Sequence, residues 1–174
     1  MKSRHITPAV LLLLGAFSST HLAAQSAEME GFALTAVVDR AHGDLIMAGR
    51  YELAEARNRP ADRFVKRPET VTPFSYDATT NLCVARTLLG EDAEGICSAA
   101  VRAAQAAHDA GRRGRDTRHH LAAALSNRGV VRALAGDDAG ARADFARAAA
   151  LAPDVPAIAQ NASHHAAIER LAER

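Results

Sequence analysis

Residues 122–155 read AAALSNRGVVRALAGDDAGARADFARAAALAPDV, and this stretch decides the predicted fold. Ala, Leu and Arg are good helix formers, and they fill two arms on either side of Gly136-Asp137-Asp138. The glycine with its acidic neighbours predicts a tight turn, and Pro153 ends the second arm because proline cannot continue a helix. The stretch therefore predicts a helix, a turn and a second helix.

The same stretch resembles a tetratricopeptide repeat, a unit of about 34 residues with small residues at set positions and a proline near its end. Gly129 is taken as the eighth residue of the unit. The other diagnostic positions then hold Leu125 at four, Gly136 at fifteen, Ala141 at twenty, Phe145 at twenty-four, Ala148 at twenty-seven and Pro153 at thirty-two. Arg128 and Arg132 depart from the pattern, because they stand at positions seven and eleven in place of a leucine and a tyrosine. The resemblance implies two closely packed antiparallel helices.

Weaker copies of the unit flank this one. Asn161 follows Asn127 by 34 residues, the period of the repeat, so the last helix begins a following unit or caps the array. Upstream, Asn81-Leu82-Cys83 parallels Asn127-Arg128-Gly129. The resemblance implies an all-α fold, a short right-handed stack of antiparallel helical hairpins of the tetratricopeptide-like α-solenoid type.

The chain divides into four predicted parts. Apolar residues such as Phe32, Leu34 and Val37 recur at spacings compatible with one face of a helix, and prolines interrupt the segment that follows. The predicted parts are a signal peptide at 1–24, a degenerate N-terminal helical hairpin at 25–58, a proline-containing connector at 59–78, and a repeat region at 79–174 with its best unit at 122–155 and a C-terminal capping helix at 157–172.

The N-terminal segment has the pattern of an export signal. Lys2 and Arg4 precede the apolar run from Ala9 to Phe17, which is too short to span a bilayer. We expect cleavage after Ala24, with Ala27 as the weaker alternative site. The mature protein is then periplasmic or secreted and has no membrane span; an N-terminal anchor is the alternative to export. Loss of the two basic residues changes the formal charge from +1 to −1, so we expect no nucleic-acid partner.

The two cysteines are placed symmetrically about a predicted turn. Cys83 and Cys97 each lie seven residues from Gly90, so antiparallel arms bring them face to face. An even number of cysteines in an exported protein suggests a disulfide. We therefore predict a Cys83–Cys97 bond, with two buried thiols as the alternative.

The sequence contains no recognisable catalytic motif: no GxSxG, no phosphate-binding loop, no HExxH and no CxxC. We expect a non-catalytic protein without a cofactor or a metal. The pairs His119-His120 and His164-His165 leave metal binding as an alternative, although neighbours on a helix point about 100° apart and chelate poorly together. A second alternative is a structural accessory protein that self-associates through its terminal helix.

The resemblance also implies where a partner binds. In tetratricopeptide proteins the sixth residue of a unit commonly faces a concave groove and hydrogen-bonds a peptide. This nominates Asn81, Asn127 and Asn161 for a protein or peptide ligand, with Val130, Ala133 and Leu134 in the apolar floor; the alternative is that the asparagines cap or bridge helices. On the groove interpretation, Asn127→Ala weakens partner capture and leaves thermal stability nearly unchanged.

Overall fold

The computed structural model describes residues 24–38, 40–110, 115–172 and 174. The predicted signal peptide lies outside these residues, apart from Ala24. The described part of the chain is mostly helical and includes one two-stranded sheet. In chain order the elements are β1 (Ala24–Met29), β2 (Phe32–Val37), α1 (Gly43–Met47), α2 (Tyr51–Asn58), α3 (Arg63–Lys66), α4 (Tyr76–Leu89), α5 (Glu94–Asp109), α6 (Arg115–Leu134), α7 (Asp138–Leu151) and α8 (Pro156–Ala172).

The N-terminal segment forms a β-hairpin. β1 and β2 pair in antiparallel register, with Met29 opposite Phe32 and Ala24 opposite Val37. The two residues of the connecting turn, Glu30 and Gly31, have φ values of 50° and 83°, the combination that a type I′ hairpin turn requires.

The prediction of a helical hairpin over 25–58 is wrong for its first half. Helix begins only at Gly43, and the two short helices α1 and α2 fill the rest of the segment. All six residues of β2 are buried, so the strand has no polar face to reveal its alternation. A short apolar run of this kind cannot be told from a helical face by periodicity alone.

The predicted connector at 59–78 is compact. It contains α3 and three short 3-10 turns, at Arg59–Asp62, Pro68–Thr70 and Pro73–Ser75. Each of these turns has a proline at one of its first two positions, where the missing N–H is not needed. The connector leads directly into α4, the helix that carries Asn81.

The long helices α4 to α8 pack in sequence, each against the next. Short connections between them favour antiparallel neighbours. Helices α6 and α7 approach closely at Gly129, where an added Cβ would lie 2.7 Å from the ring of Phe145 on α7. Leu125, Ala141 and Ala148 are fully buried between helices. Pro153 follows the end of α7, and Gly136 turns the chain with a φ of 79°.

Arg128 and Arg132, the two residues that depart from the tetratricopeptide pattern, form an ion triad with Asp144. Arg128 donates to Asp144 through Nε and Nη2 at 2.8 and 2.7 Å, and Arg132 donates to it through Nη1 at 2.9 Å. Asp144 is only 4% exposed. Its hydrogen bond to Arg128 is the main reason that the pKa of this guanidinium lies above the ordinary value. The two arginines thus fill space between α6 and α7 as paired charges rather than as apolar side chains.

Cys83 of α4 and Cys97 of α5 form the predicted disulfide, with their Cα atoms 4.9 Å apart. Both residues are buried. They share a cluster with Leu82, Ile96 and Phe64, the last of which comes from the connector. The bond therefore fixes α4 against α5 beneath the connector.

Removing this bond is expected to lower the stability of the protein. The bridge closes a loop with a sequence separation of 14, for which the chain-entropy model gives about 3 kcal/mol. We expect the Cys83→Ala/Cys97→Ala variant to lose about that much unfolding free energy in urea titrations. A loss below about 1 kcal/mol would show that the bond contributes little to stability.

The buried phenol of Tyr76 is expected to make the free energy of unfolding depend on pH in the alkaline range. Burial raises the pKa of Tyr76 above its ordinary value, and the ring stacks on His120. Because the folded pKa exceeds the unfolded one, the stabilising contribution is complete below the unfolded value of about 10 and is lost as pH rises above it. We expect the unfolding free energy to fall above about pH 10, and Tyr76→Phe to remove part of that slope. Urea titrations at several alkaline pH values measure both slopes, and equal slopes would contradict the assignment.

Candidate functional site

Three asparagine side chains, one from each of three helices, hold the main chain of β2. All three asparagines are at most 1% exposed. Asn161 of α8 accepts from the Ala33 N–H at 2.7 Å and donates to the Ala33 carbonyl at 2.8 Å. Asn127 of α6 accepts from the Thr35 N–H at 2.8 Å and donates to the Thr35 carbonyl at 2.8 Å. Asn81 of α4 accepts from the Val37 N–H at 2.8 Å and donates to the Val37 carbonyl at 3.0 Å.

This arrangement makes the three amides equivalent to a third strand. Ala33, Thr35 and Val37 alternate along β2, so their N–H and C=O groups point to the same edge. Phe32 pairs with Met29 next to the two-residue turn. The N–H and C=O groups of Phe32, Leu34 and Ala36 therefore point to the other edge of β2 and pair with β1. A side-chain amide offers one carbonyl acceptor and N–H donors, as a peptide group does. Both edges of a strand buried among helices are therefore satisfied.

The asparagines lie where the helical fold alone would not favour them. Each is in the interior of a long helix, where asparagine is a poor helix former. Each is also buried, and a buried amide without a partner costs free energy. Contact with the strand removes that cost and accounts for a polar residue at these three places. We name the surface defined by Asn81, Asn127 and Asn161 the asparagine groove.

Side-chain contacts add to the main-chain contacts. The Phe32 ring stacks 6.1 Å from Phe145 and meets His164 edge-on at 4.6 Å, measured between ring centroids. Leu34 and Ala36 are fully buried. They belong to the same apolar cluster as Val130, which was predicted for the groove floor.

One of the predicted floor residues, Leu134, lies elsewhere. Leu134 is 37% exposed, near the C-terminal end of α6. The cluster that contains β2 includes Ala133 as a partly buried neighbour. The structure therefore brings Val130 to the strand and leaves Leu134 at the surface.

Both ends of β2 are anchored. At the turn, His164 Nε2 lies 3.0 Å from the Glu30 carbonyl, and a Cβ on Gly31 would lie 2.8 Å from the His164 ring. At the other end, the Asn81 amide also donates to the carbonyls of Arg40 and Ala41, at 2.8 and 3.2 Å. Asn81 thus fixes the strand and the chain that leaves it.

A cluster of one histidine and two carboxylates is centred on His165. His165 is buried, with Nε2 3.3 Å from Asp138 Oδ1 and Nδ1 3.7 Å from Glu169 Oε2. Donor atoms of these three residues lie within 4.8 Å of one another, as a metal site would require. Arg142 also pairs with Glu169, and its hydrogen bond is the main reason that the pKa of this carboxyl is lowered.

The other histidine pair has packing contacts. His119 Nε2 lies 3.5 Å from Asp154 Oδ1. His120 stacks on Tyr76 with the ring centroids 4.5 Å apart. Neither belongs to the cluster around His165.

The three asparagines were predicted to contact a partner, whereas in the structure they contact the chain's own β2. The resemblance placed the three residues along one groove, but β2 itself and the role of His164 were not predicted. The sequence does contain one signal for the hairpin. Glu30-Gly31 separates the two six-residue segments that form β1 and β2, and a glycine at the second turn position suits a two-residue hairpin.

Comparisons with protein-family models, curated proteins and solved structures gave no match to this chain. Within the described ranges, no helix combines the length and the apolar character needed to cross a membrane. The fold and the site thus define a class, a mostly helical protein whose asparagine groove holds an extended main chain.

Proposed function

We propose that this chain is a non-catalytic protein-interaction module that binds an extended segment of a protein or peptide ligand in the asparagine groove. One observation carries the proposal: Asn81, Asn127 and Asn161 hold both hydrogen-bonding groups of alternate residues in an extended chain. These contacts are to main-chain atoms, so they do not depend on which molecule supplies the segment. The proposal includes no cofactor and no nucleic acid.

The helical part is proposed to be a tetratricopeptide-like stack. The pairs α4–α5 and α6–α7 are hairpins joined by short turns, and α8 follows as a single capping helix. The small residues Gly129 and Ala141 lie at the α6–α7 contact, as they do in the resemblance. Successive first helices each contribute one asparagine, which is how a stack of repeats builds one continuous binding surface.

Export to the periplasm or secretion is part of the proposal. A buried disulfide between Cys83 and Cys97 supports it, because such bonds persist mainly in oxidising compartments. The segment 1–24, of which all but Ala24 lies outside the described residues, has the composition of a signal peptide.

Affinity capture from the native envelope fraction tests the function. The bait is the full-length chain, expressed with its own N-terminal segment and checked by mass spectrometry for processing. We expect one protein to be retained by the wild type and more of it by Gly31→Ala, which loosens the hairpin that fills the groove. We expect the Asn127→Ala bait not to retain this protein. The capture is run at a temperature at which circular dichroism shows that the Asn127→Ala bait is folded. Equal retention by all three baits, or none by any, would contradict the proposal.

Metal binding is a second candidate, favoured by one observation, the cluster of Asp138, His165 and Glu169. A histidine and two carboxylates suit zinc, although Arg142 already neutralises Glu169. Calorimetric titration with zinc measures it, and His165→Ala is the matched variant. Stoichiometric binding at micromolar zinc that is lost in the variant would support the site; no heat in either protein would remove it.

Self-association through the terminal helix is a third candidate. Ile168 and Leu171 of α8 are 43% and 68% exposed, and nothing among the described residues covers them. Sedimentation of the purified chain distinguishes this candidate, because a monomer at tens of micromolar contradicts it.

A further inference from the structure

The strand in the groove is held as a bound ligand would be held. Asn161, Asn127 and Asn81 reach it across sequence separations of 128, 92 and 44 residues. These hydrogen bonds are therefore tertiary contacts between segments that are distant in the sequence. A segment with the same conformation from another molecule would meet the same donors and acceptors.

The contacts of the strand also define side-chain preferences. Phe32 lies against an aromatic wall of Phe145 and His164. Leu34 and Ala36 follow it at alternate positions, and both have no exposed surface. Alternate residues of a strand face the same side. The groove therefore accepts an aromatic, an aliphatic and a small side chain, in that order along the strand.

We propose that residues 24–37 are a resident pseudo-ligand, and that the external ligand is an extended protein segment with the side-chain pattern aromatic, small, aliphatic, small, small, because all five positions are buried in β2. This inference rests on the function proposed above and adds the ligand class and the way it enters. The ligand displaces the hairpin and takes over the hydrogen bonds to Asn81, Asn127 and Asn161.

The connection between β2 and α1 favours displacement. Ala41 and His42 have φ values of 45° and 63°, in the left-handed region that residues with a Cβ rarely adopt. The Asn81 amide holds this turn through the carbonyls of Arg40 and Ala41. An external segment carries no such turn, so it makes the same contacts without the strain.

The probe is a fluorescein-labelled peptide of residues 30–39, titrated by anisotropy against the full-length chain. Three modified peptides separate the two levels of the inference. N-methylation at Thr35 removes the N–H that Asn127 accepts, N-methylation at Leu34 alters a group on the opposite edge, and Phe32→Ala empties the aromatic position.

Two variants open the groove without changing its walls. Gly31→Ala introduces a Cβ at a φ of 83°, against His164, and weakens the hairpin. Thr35→Pro in the protein removes the N–H held by Asn127 and prevents the chain's own strand from docking. If Thr35→Pro fails to fold, Gly31→Ala still tests the inference. We expect the peptide to bind Gly31→Ala about tenfold more tightly than the wild type, because a larger fraction of the grooves is vacant.

Three results support the inference together: tighter binding to the opened variants, loss of at least about tenfold in affinity with the N-methyl-Thr35 and Phe32→Ala peptides, and little change with N-methyl-Leu34. Sensitivity to N-methyl-Thr35 without sensitivity to Phe32→Ala would preserve main-chain binding and overturn the proposed pattern. No binding to any variant would overturn the inference, while a protein captured from the envelope fraction would still support the wider function. A wild-type dimer that exchanges hairpins between copies would make a second copy the occupant and overturn the external ligand.

Discussion

Asn127→Ala is expected to lower the unfolding free energy by about 2–6 kcal/mol. The substitution leaves the N–H and the C=O of Thr35 without partners in the interior, and each such group costs about 1–3 kcal/mol. Thr35 is 6% exposed and Asn127 only 1%, so water does not replace the amide in the folded state. This differs from the sequence-based expectation of nearly unchanged stability, because the groove already holds the chain's own strand.

A matched control for this variant lies on α8. Gln160→Ala removes an exposed amide whose one hydrogen bond to the hairpin, to the Gly31 carbonyl, is long at 3.4 Å. We expect a change within about 0.5 kcal/mol, the usual range for surface substitutions. Urea unfolding followed by circular dichroism measures both variants. Equal effects of the two substitutions would show that burial of the asparagine amide against β2 has no energetic importance.

Asp144→Ala is expected to destabilise the protein by about 3 kcal/mol. Removal of one member of a buried ion pair leaves uncompensated charge, which costs about 3–5 kcal/mol. The lower end applies because the side chains of Arg128 and Arg132 are 17% and 23% exposed and stay partly hydrated.

Replacing the whole triad is the control. In Arg128→Leu/Arg132→Tyr/Asp144→Leu, apolar side chains fill the same space and no charge is left buried, which is often neutral or stabilising. We expect this triple variant to be at least as stable as Asp144→Ala and to recover most of the loss in urea titrations. A triple variant less stable than Asp144→Ala would show that the charges fix the packing of these helices.

The helical hairpins could be predicted from sequence because their signals are local. Gly136 and Pro153 mark the ends of α6 and α7, and Cys83 and Cys97 are equidistant from the turn that joins α4 to α5. Each of these features lies within about 20 residues of the element it defines, and helical periodicity extends over the whole arm.

The β-hairpin could not be predicted in the same way, because its stability comes from distant residues. Two short strands are only marginally stable alone. Here the strand 32–37 is completed by Asn81, Asn127 and Asn161, which are contributed by helices much later in the chain. The positions of these asparagines followed from the register of the tetratricopeptide resemblance, whereas the identity of the segment in the groove did not.

Amide hydrogen exchange of the wild-type chain, read residue by residue by NMR, tests the central claim most directly. The claim is that the asparagine groove holds an extended main chain. It predicts that the amides of Ala33, Thr35 and Val37 exchange at least about a hundredfold more slowly than in a free peptide, yet faster than amides in the middle of α6, because the hairpin opens separately. Exchange of these three amides at the rate of an unstructured peptide would contradict the account, since the groove would then hold no strand.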